Sequence, residues 1–170
     1  MGSPETAREA DDSYRYSQRW ESVREPPHDG FRFAEHDMIT YLWVAIGSAL
    51  GGMARHWCTL TAAKWFGTAF PWGTLFINIL GSFVIGLFFT LTGVDGRFDA
   101  SSDAKVFVMV GICGGYTTFS AFSLQTLALA QEGQWLRAGA YIVASVVLCL
   151  VAVWGGYAIA HAVNAAGSGA

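Results

Sequence analysis

Residues 111–125, Gly-Ile-Cys-Gly-Gly-Tyr-Thr-Thr-Phe-Ser-Ala-Phe-Ser-Leu-Gln, set helix-breaking glycines and a run of hydroxyls inside an apolar segment without a single charge. Such a segment has the makings of a membrane helix. In hydrocarbon every backbone N–H and C=O needs a partner, so a helix breaks at membrane depth only where other protein or a water-filled cavity takes those groups over. Gly114-Gly115 therefore predicts a functional break. Beyond it, Phe119 and Phe122 stand i, i+3 on one helix face with Ser123 beside Phe119 at i+4. Two readings stay open from spacing alone: aromatic edges and hydroxyls lining a path, or aromatics packing against neighbouring helices.

The rest of the chain fits a membrane protein. At 53% hydrophobic and 14% charged residues it is too apolar for an ordinary soluble domain. Half of the Lys and Arg residues and most of the acids precede Met38, leaving a polar tail of net charge about −4 on a body of about +1. No basic groove for nucleic acid results. Cys58, Cys113 and Cys149 are widely separated and lie in or beside apolar segments, so they read as small buried hydrophobes rather than a disulfide framework or zinc site.

Residues 1–37, with Pro26-Pro27 and no helical periodicity, are expected to be a disordered polar tail, and no apolar run follows a basic start as a signal peptide requires. A bilayer core takes about 20 apolar residues per helix, and four stretches meet that length. The spans are expected at about Met38–Cys58, Pro71–Gly93, Val106–Ala130 and Ala138–Ala162, within a transmembrane domain over 38–164 followed by a flexible end at 165–170. Lys64–Phe70 reads as a short connector and Asp95–Lys105 as a water-exposed loop. Gly47 and Gly51 form a GxxxG pair in the first span, and Arg55 near its end has the reach to snorkel. Thr74, Asn78 and Ser82 recur at i, i+4 on the second span, as do Tyr141, Ser145 and Cys149 on the fourth, giving two polar stripes.

Those spans hold no Asp, Glu or Lys, which removes the usual parts of proton-coupled transport. Hydroxyls without a base at membrane depth leave no catalytic constellation, so the chain does not read as an enzyme. His56 and His161 fall near expected membrane boundaries and read as interfacial histidines. Asn78 admits two roles: its NH2 donates to an anion, or its amide joins helices. A phenyl ring offers an anion its positive edge. Donors and ring edges together hold an anion weakly, without fixed charge, as fast conduction needs. The residues by themselves stop at a pathway for a small anion or polar solute.

Gly114-Gly115-Tyr116-Thr117-Thr118-Phe119-Ser120-Ala121-Phe122-Ser123 resembles the signature of the Fluc (CrcB) family of small bacterial fluoride channels. Gly51-Gly52-Met53-Ala54-Arg55, and Gly73-Thr74-Leu75 with Asn78 and Gly81, stand at that family's spacing, so the resemblance covers about Ile39 to Ala162. It implies an all-α integral membrane protein of four transmembrane helices, the third broken near Gly114-Gly115, paired as an antiparallel dual-topology homodimer in the bacterial inner membrane. It implies passive export of fluoride that relieves its toxicity, with a structural sodium ion at the dimer centre on the backbone carbonyls of Gly114 and Thr117. By the same resemblance Phe119 and Phe122 match the pore phenylalanines, Asn78 the second-helix asparagine, and Tyr141 and Ser145 the start of a fourth-helix polar track that Cys149 continues. Ser123 joins this fluoride pathway and Arg55 takes a structural role. Ala121, Gln125 and Cys149 depart from the threonine, glutamate and hydroxyl residue usual at their places, which bears on conduction rate more than on fold. The rival readings are a small drug/proton antiporter, which needs an intramembrane carboxylate, and a structural membrane protein whose polar stripes only join helices.

Overall fold

The computed structural model describes residues 35–93 and 96–167, so residues 1–34 of the tail expected over 1–37 and the last three residues lie outside the described part. Four helical rods make up the described chain. The first, α1, is Glu35–Phe66, and α2 is Trp72–Leu91. The third rod is composite: a short α3, Ser102–Lys105; a π-helical stretch, Val106–Cys113; α4, Gly114–Tyr116; and, after two extended residues, α5, Phe119–Gln131. The fourth, α6, is Trp135–Gly167.

Three rods are long and apolar enough to cross a membrane: Trp72–Leu91, Ser102–Gln131 and Trp135–Gly167. The 20 residues of α2 give about 30 Å of helix, which matches a hydrocarbon core of the same thickness. At 32 and 33 residues, α1 and α6 are each about 50 Å long and outrun it. α1 begins at Glu35, inside the segment expected to be tail. It also continues past Cys58 and takes in Lys64–Phe66, the first three residues of the expected connector, because Thr59–Phe66 holds no breaker. It stops at Gly67, whose φ of +74° suits a glycine past a helix end and whose N–H closes on the Ala63 carbonyl at 3.0 Å.

The break in the third rod is displaced from its expected place. Gly114 sits at φ −64°, ψ −38°, ordinary right-handed helix that any residue adopts. The chain leaves helical geometry at Thr117 (φ −75°, ψ 159°) and Thr118 (φ −155°, ψ 112°). The glycines serve closeness instead. A Cβ on Gly115 would lie 2.6 Å from the Ser48 carbonyl oxygen, and one on Gly47 would lie 2.8 Å from the Gly111 Cα. A Cβ on Gly51 would overlap the Ile112 carbonyl. α1 thus lies backbone to backbone along the third rod, the contact that small residues permit in lipid. α2 and α6 meet the same way, with Gly86 against Val153 and Gly156 against Phe83. Leu75, Leu129, Ala138 and Tyr141 form a small buried core between α2, α5 and α6, flanked by Phe70, Ile79 and Phe122.

Candidate functional site

The break places two threonines in extended backbone inside an apolar bundle, and their amide groups cannot be left unpaired there. Asn78, in the second turn of α2, supplies the partners: its Nδ2 donates to the Thr118 carbonyl at 3.1 Å, and its Oδ1 accepts the Thr118 N–H at 2.8 Å. Thr118 in turn caps α5, its Oγ1 accepting from the Ala121 N–H at 3.2 Å. Thr118 was not among the residues the sequence singled out. A threonine directly before an apolar run is the signal that finds it.

One consequence falls on Gly114. In an unbroken helix its carbonyl would accept the Thr118 N–H, which here goes to Asn78. The Thr117 carbonyl accepts from Arg55 Nη1 at a long 3.4 Å. Arg55 does not stand near the end of its helix, since α1 continues to Phe66, and its guanidinium reaches inward to the break rather than out to a boundary.

Asn78, Ser82, Phe119, Phe122, Ser145 and Cys149 line a groove of about 440 Å³ between α2, α5 and α6, with Gly114 and Thr117 on its margin. Two residues of each polar stripe, Asn78 and Ser82 of one and Ser145 and Cys149 of the other, therefore open onto one space beside the break. Phe119 is 78% exposed in the single chain, whereas Phe122 is half-buried between Phe119, at 5.4 Å between ring centroids, and Tyr141, at 5.1 Å. Tyr141 is fully buried and does not line the groove. Its ring meets Phe70 edge-on at 5.4 Å and its hydroxyl donates to Gln125 Oε1 at 3.0 Å. Ser123 also stands apart from the groove, exposed, its Oγ donating to the Phe119 carbonyl at 2.9 Å.

Ser145 departs from a pattern that seven other hydroxyls follow. Thr59, Thr61, Thr90, Thr92, Thr117, Ser123 and Thr126 each donate to the carbonyl four residues back. Ser145 Oγ is buried in the groove wall with no partner at all. A buried hydroxyl without a hydrogen bond costs on the order of 1–3 kcal/mol, and a ligand in the groove would remove that cost. Among the described residues no group of His, Cys, Asp or Glu is arranged to hold a metal. His56 and His161 are exposed, the latter against Tyr157 at 5.9 Å. What the groove offers is neutral: the Ser145 and Ser82 hydroxyls, aromatic rings, and the second N–H of an amide whose first is committed.

Comparison with known proteins gives a consistent result. The family model described as CrcB-like protein, Camphor Resistance (CrcB), matches residues 42–157. A protein of Methylocella silvestris named fluoride-specific ion channel FluC is 57% identical over 126 residues, 74% of this chain and 96% of that one. Proteins of the same name from Paramagnetospirillum magneticum and Rhodospirillum rubrum are 58% and 59% identical, each over about three quarters of this chain and nearly all of their own length.

Proposed function

Because this chain belongs to the CrcB-like family, we propose that it is a fluoride-selective channel, not an enzyme, letting the ion leave the cell passively and so relieving its toxicity. The observation that carries this reading is the unpaired Ser145 hydroxyl, buried in a groove that also presents Phe119, Phe122 and Asn78. A small, strongly accepting anion takes the hydroxyl and amide hydrogens, while ring edges complete its surroundings without a fixed charge. Neutral donors release as readily as they bind, which favours throughput.

The working unit in this reading is an antiparallel homodimer in the bacterial inner membrane, with α1 as the fourth crossing. Its support is the open state of the site in one chain. Phe119 projects 78% exposed, and Gly114 is exposed at the break. A sodium ion at the centre of that dimer would be held by the carbonyls of Gly114 and Thr117. These residues fit such an ion: neutral carbonyl oxygens suit a hard monovalent cation, and the Gly114 oxygen has lost its helical donor to Asn78. The Thr117 oxygen has a second lone pair beside the one Arg55 uses. When bound, the ion supplies positive charge that joins the two chains.

Purified protein in liposomes, loaded with fluoride or with chloride, tests the reading. Fluoride efflux well above chloride efflux is expected, and Ser145→Ala is expected to slow it about tenfold, the worth of roughly one hydrogen bond. Equal efflux of the two anions overturns the proposal, and absence of any flux favours a purely structural membrane protein. Coupling of flux to a proton gradient points to an antiporter, for which the described spans offer no carboxylate at membrane depth.

A further inference from the structure

A second cavity, of about 300 Å³, lies at the ends of the spans under the turn that joins α5 to α6. Its wall includes Thr59 of α1, Phe70 of the connector and Gln125 of α5, and its rim carries Glu132, Gln134 and Arg137. We propose that this cavity is the aqueous mouth of the ion path and that Arg137 is the group that draws the anion into it, with Glu132 holding that attraction in check. The inference rests on the channel reading given above.

Three side chains connect the mouth to the groove. Gln125 faces the cavity and its Oε1 takes the Tyr141 hydroxyl; the Tyr141 ring meets Phe122 at a tilt; Phe122 lines the groove. Side-chain contacts through the fully buried Tyr141 ring therefore link the wall of the mouth to the wall of the groove. On the rim, Arg137 Nη1 donates to Gln134 Oε1 at 2.8 Å, and Gln134 Nε2 donates to Glu132 Oε2 at 2.7 Å. The two charges are held through an uncharged intermediary, so the guanidinium keeps donors for an incoming anion. Both are exposed at the water-facing end of the spans, where a charge changes the local anion concentration without adding a deep binding site.

The test measures initial fluoride efflux from liposomes bearing the full chain, across a range of fluoride concentrations. Ionic strength is about 10 mM or about 1 M, set with a salt of a large organic anion. Arg137→Gln is expected to raise the half-saturating fluoride concentration about two- to fourfold at low ionic strength while leaving saturated flux unchanged, as one elementary charge acting through water predicts. At 1 M, where screening acts within about 3 Å, the difference is expected to vanish. Arg137→Lys keeps the charge and is expected to behave as the parent, and Glu132→Gln to lower the half-saturating concentration. A loss of saturated flux in Arg137→Gln, or a shift that survives high salt, marks a structural role and overturns the inference. Unaltered behaviour of both charge-removing variants in a chain that conducts fluoride overturns the mouth alone, whereas a parent chain with no fluoride flux overturns the channel reading itself.

Discussion

Asn78 shows how one side chain can substitute for a length of helix. Its amide carries a donor and an acceptor in the spacing of a peptide unit, and both are used on the two backbone groups of Thr118. Asn78→Leu is shape-conserving but leaves that N–H and C=O unpaired among apolar neighbours, so a loss of about 2–4 kcal/mol is expected. Thermal unfolding in detergent checks this, and unchanged melting would show that the break is held by something else. The phenylalanines divide differently. Phe122→Ile removes two ring contacts and half-buried area, so a fall of about 1–2 kcal/mol in stability is expected along with loss of flux. Phe119→Ile, at a largely exposed position, is expected to cut flux with stability nearly unchanged, and comparing melting with efflux for the two variants separates the effects. That Asn78 needed a partner was legible from an amide in an apolar run, but the partner lies 40 residues away and only the fold supplies it. The unpaired state of Ser145 left no mark in the sequence, because its stripe reads the same whether or not the hydroxyl turns back on its own helix.

At the level of elements, the third rod is where sequence and structure part. Paired glycines signalled a break, yet they remain helical and the chain opens at Thr117-Thr118. The same residue type permits both bending and close approach, and spacing alone does not say which is in use. The neighbouring glycines of α1 decide it, since Gly47 and Gly51 stand against Gly111 and Ile112. Gly51→Ala is accordingly expected to cost about 1–3 kcal/mol or to prevent folding, because the methyl would meet backbone that cannot swing aside. Gly155→Ala, with open space around the added methyl, serves as the comparison and is expected to keep the chain folded. Equal expression and melting of the two variants would show that the α1 contact has room for a methyl group. The π-helical turn before the break had no counterpart in the sequence reading: its eight residues are as apolar as any membrane helix. Such turns gather at functional sites, and this one delivers the third rod to the groove margin.

For the molecule as a whole, the all-helical architecture and the positions of α2, the third rod and α6 were legible from apolar run length. The length of α1 was not, because nothing between Cys58 and Gly67 distinguishes a helix from a connector. Orientation depends on very few charges. Arg97 and Lys105 stand around the turn between α2 and the third rod, and Lys64 near the end of α1 and Arg137 near the start of α6 stand at the opposite ends, while Arg55 turns inward to the break. So slight a bias is expected to let the chain insert both ways, with a tilt toward an inside N-terminus from Arg24 and Arg32 in the tail. Reporters on the C-terminus, one active only in the cytoplasm and one only outside, are expected both to give signal. A single signal would mean that an antiparallel pair needs a second, oppositely inserted protein. The Asn78–Thr118 clasp also imposes an order in time. A ribosome adding about 5–20 residues per second makes the amide some 2–8 seconds before the backbone it must satisfy. Through that interval the Asn78 amide is without the Thr118 partner it has in the folded chain. Slowing synthesis between codons 78 and 118 is accordingly expected to lower the yield of folded protein in the parent chain more than in Asn78→Leu, which membrane yield at matched message level checks.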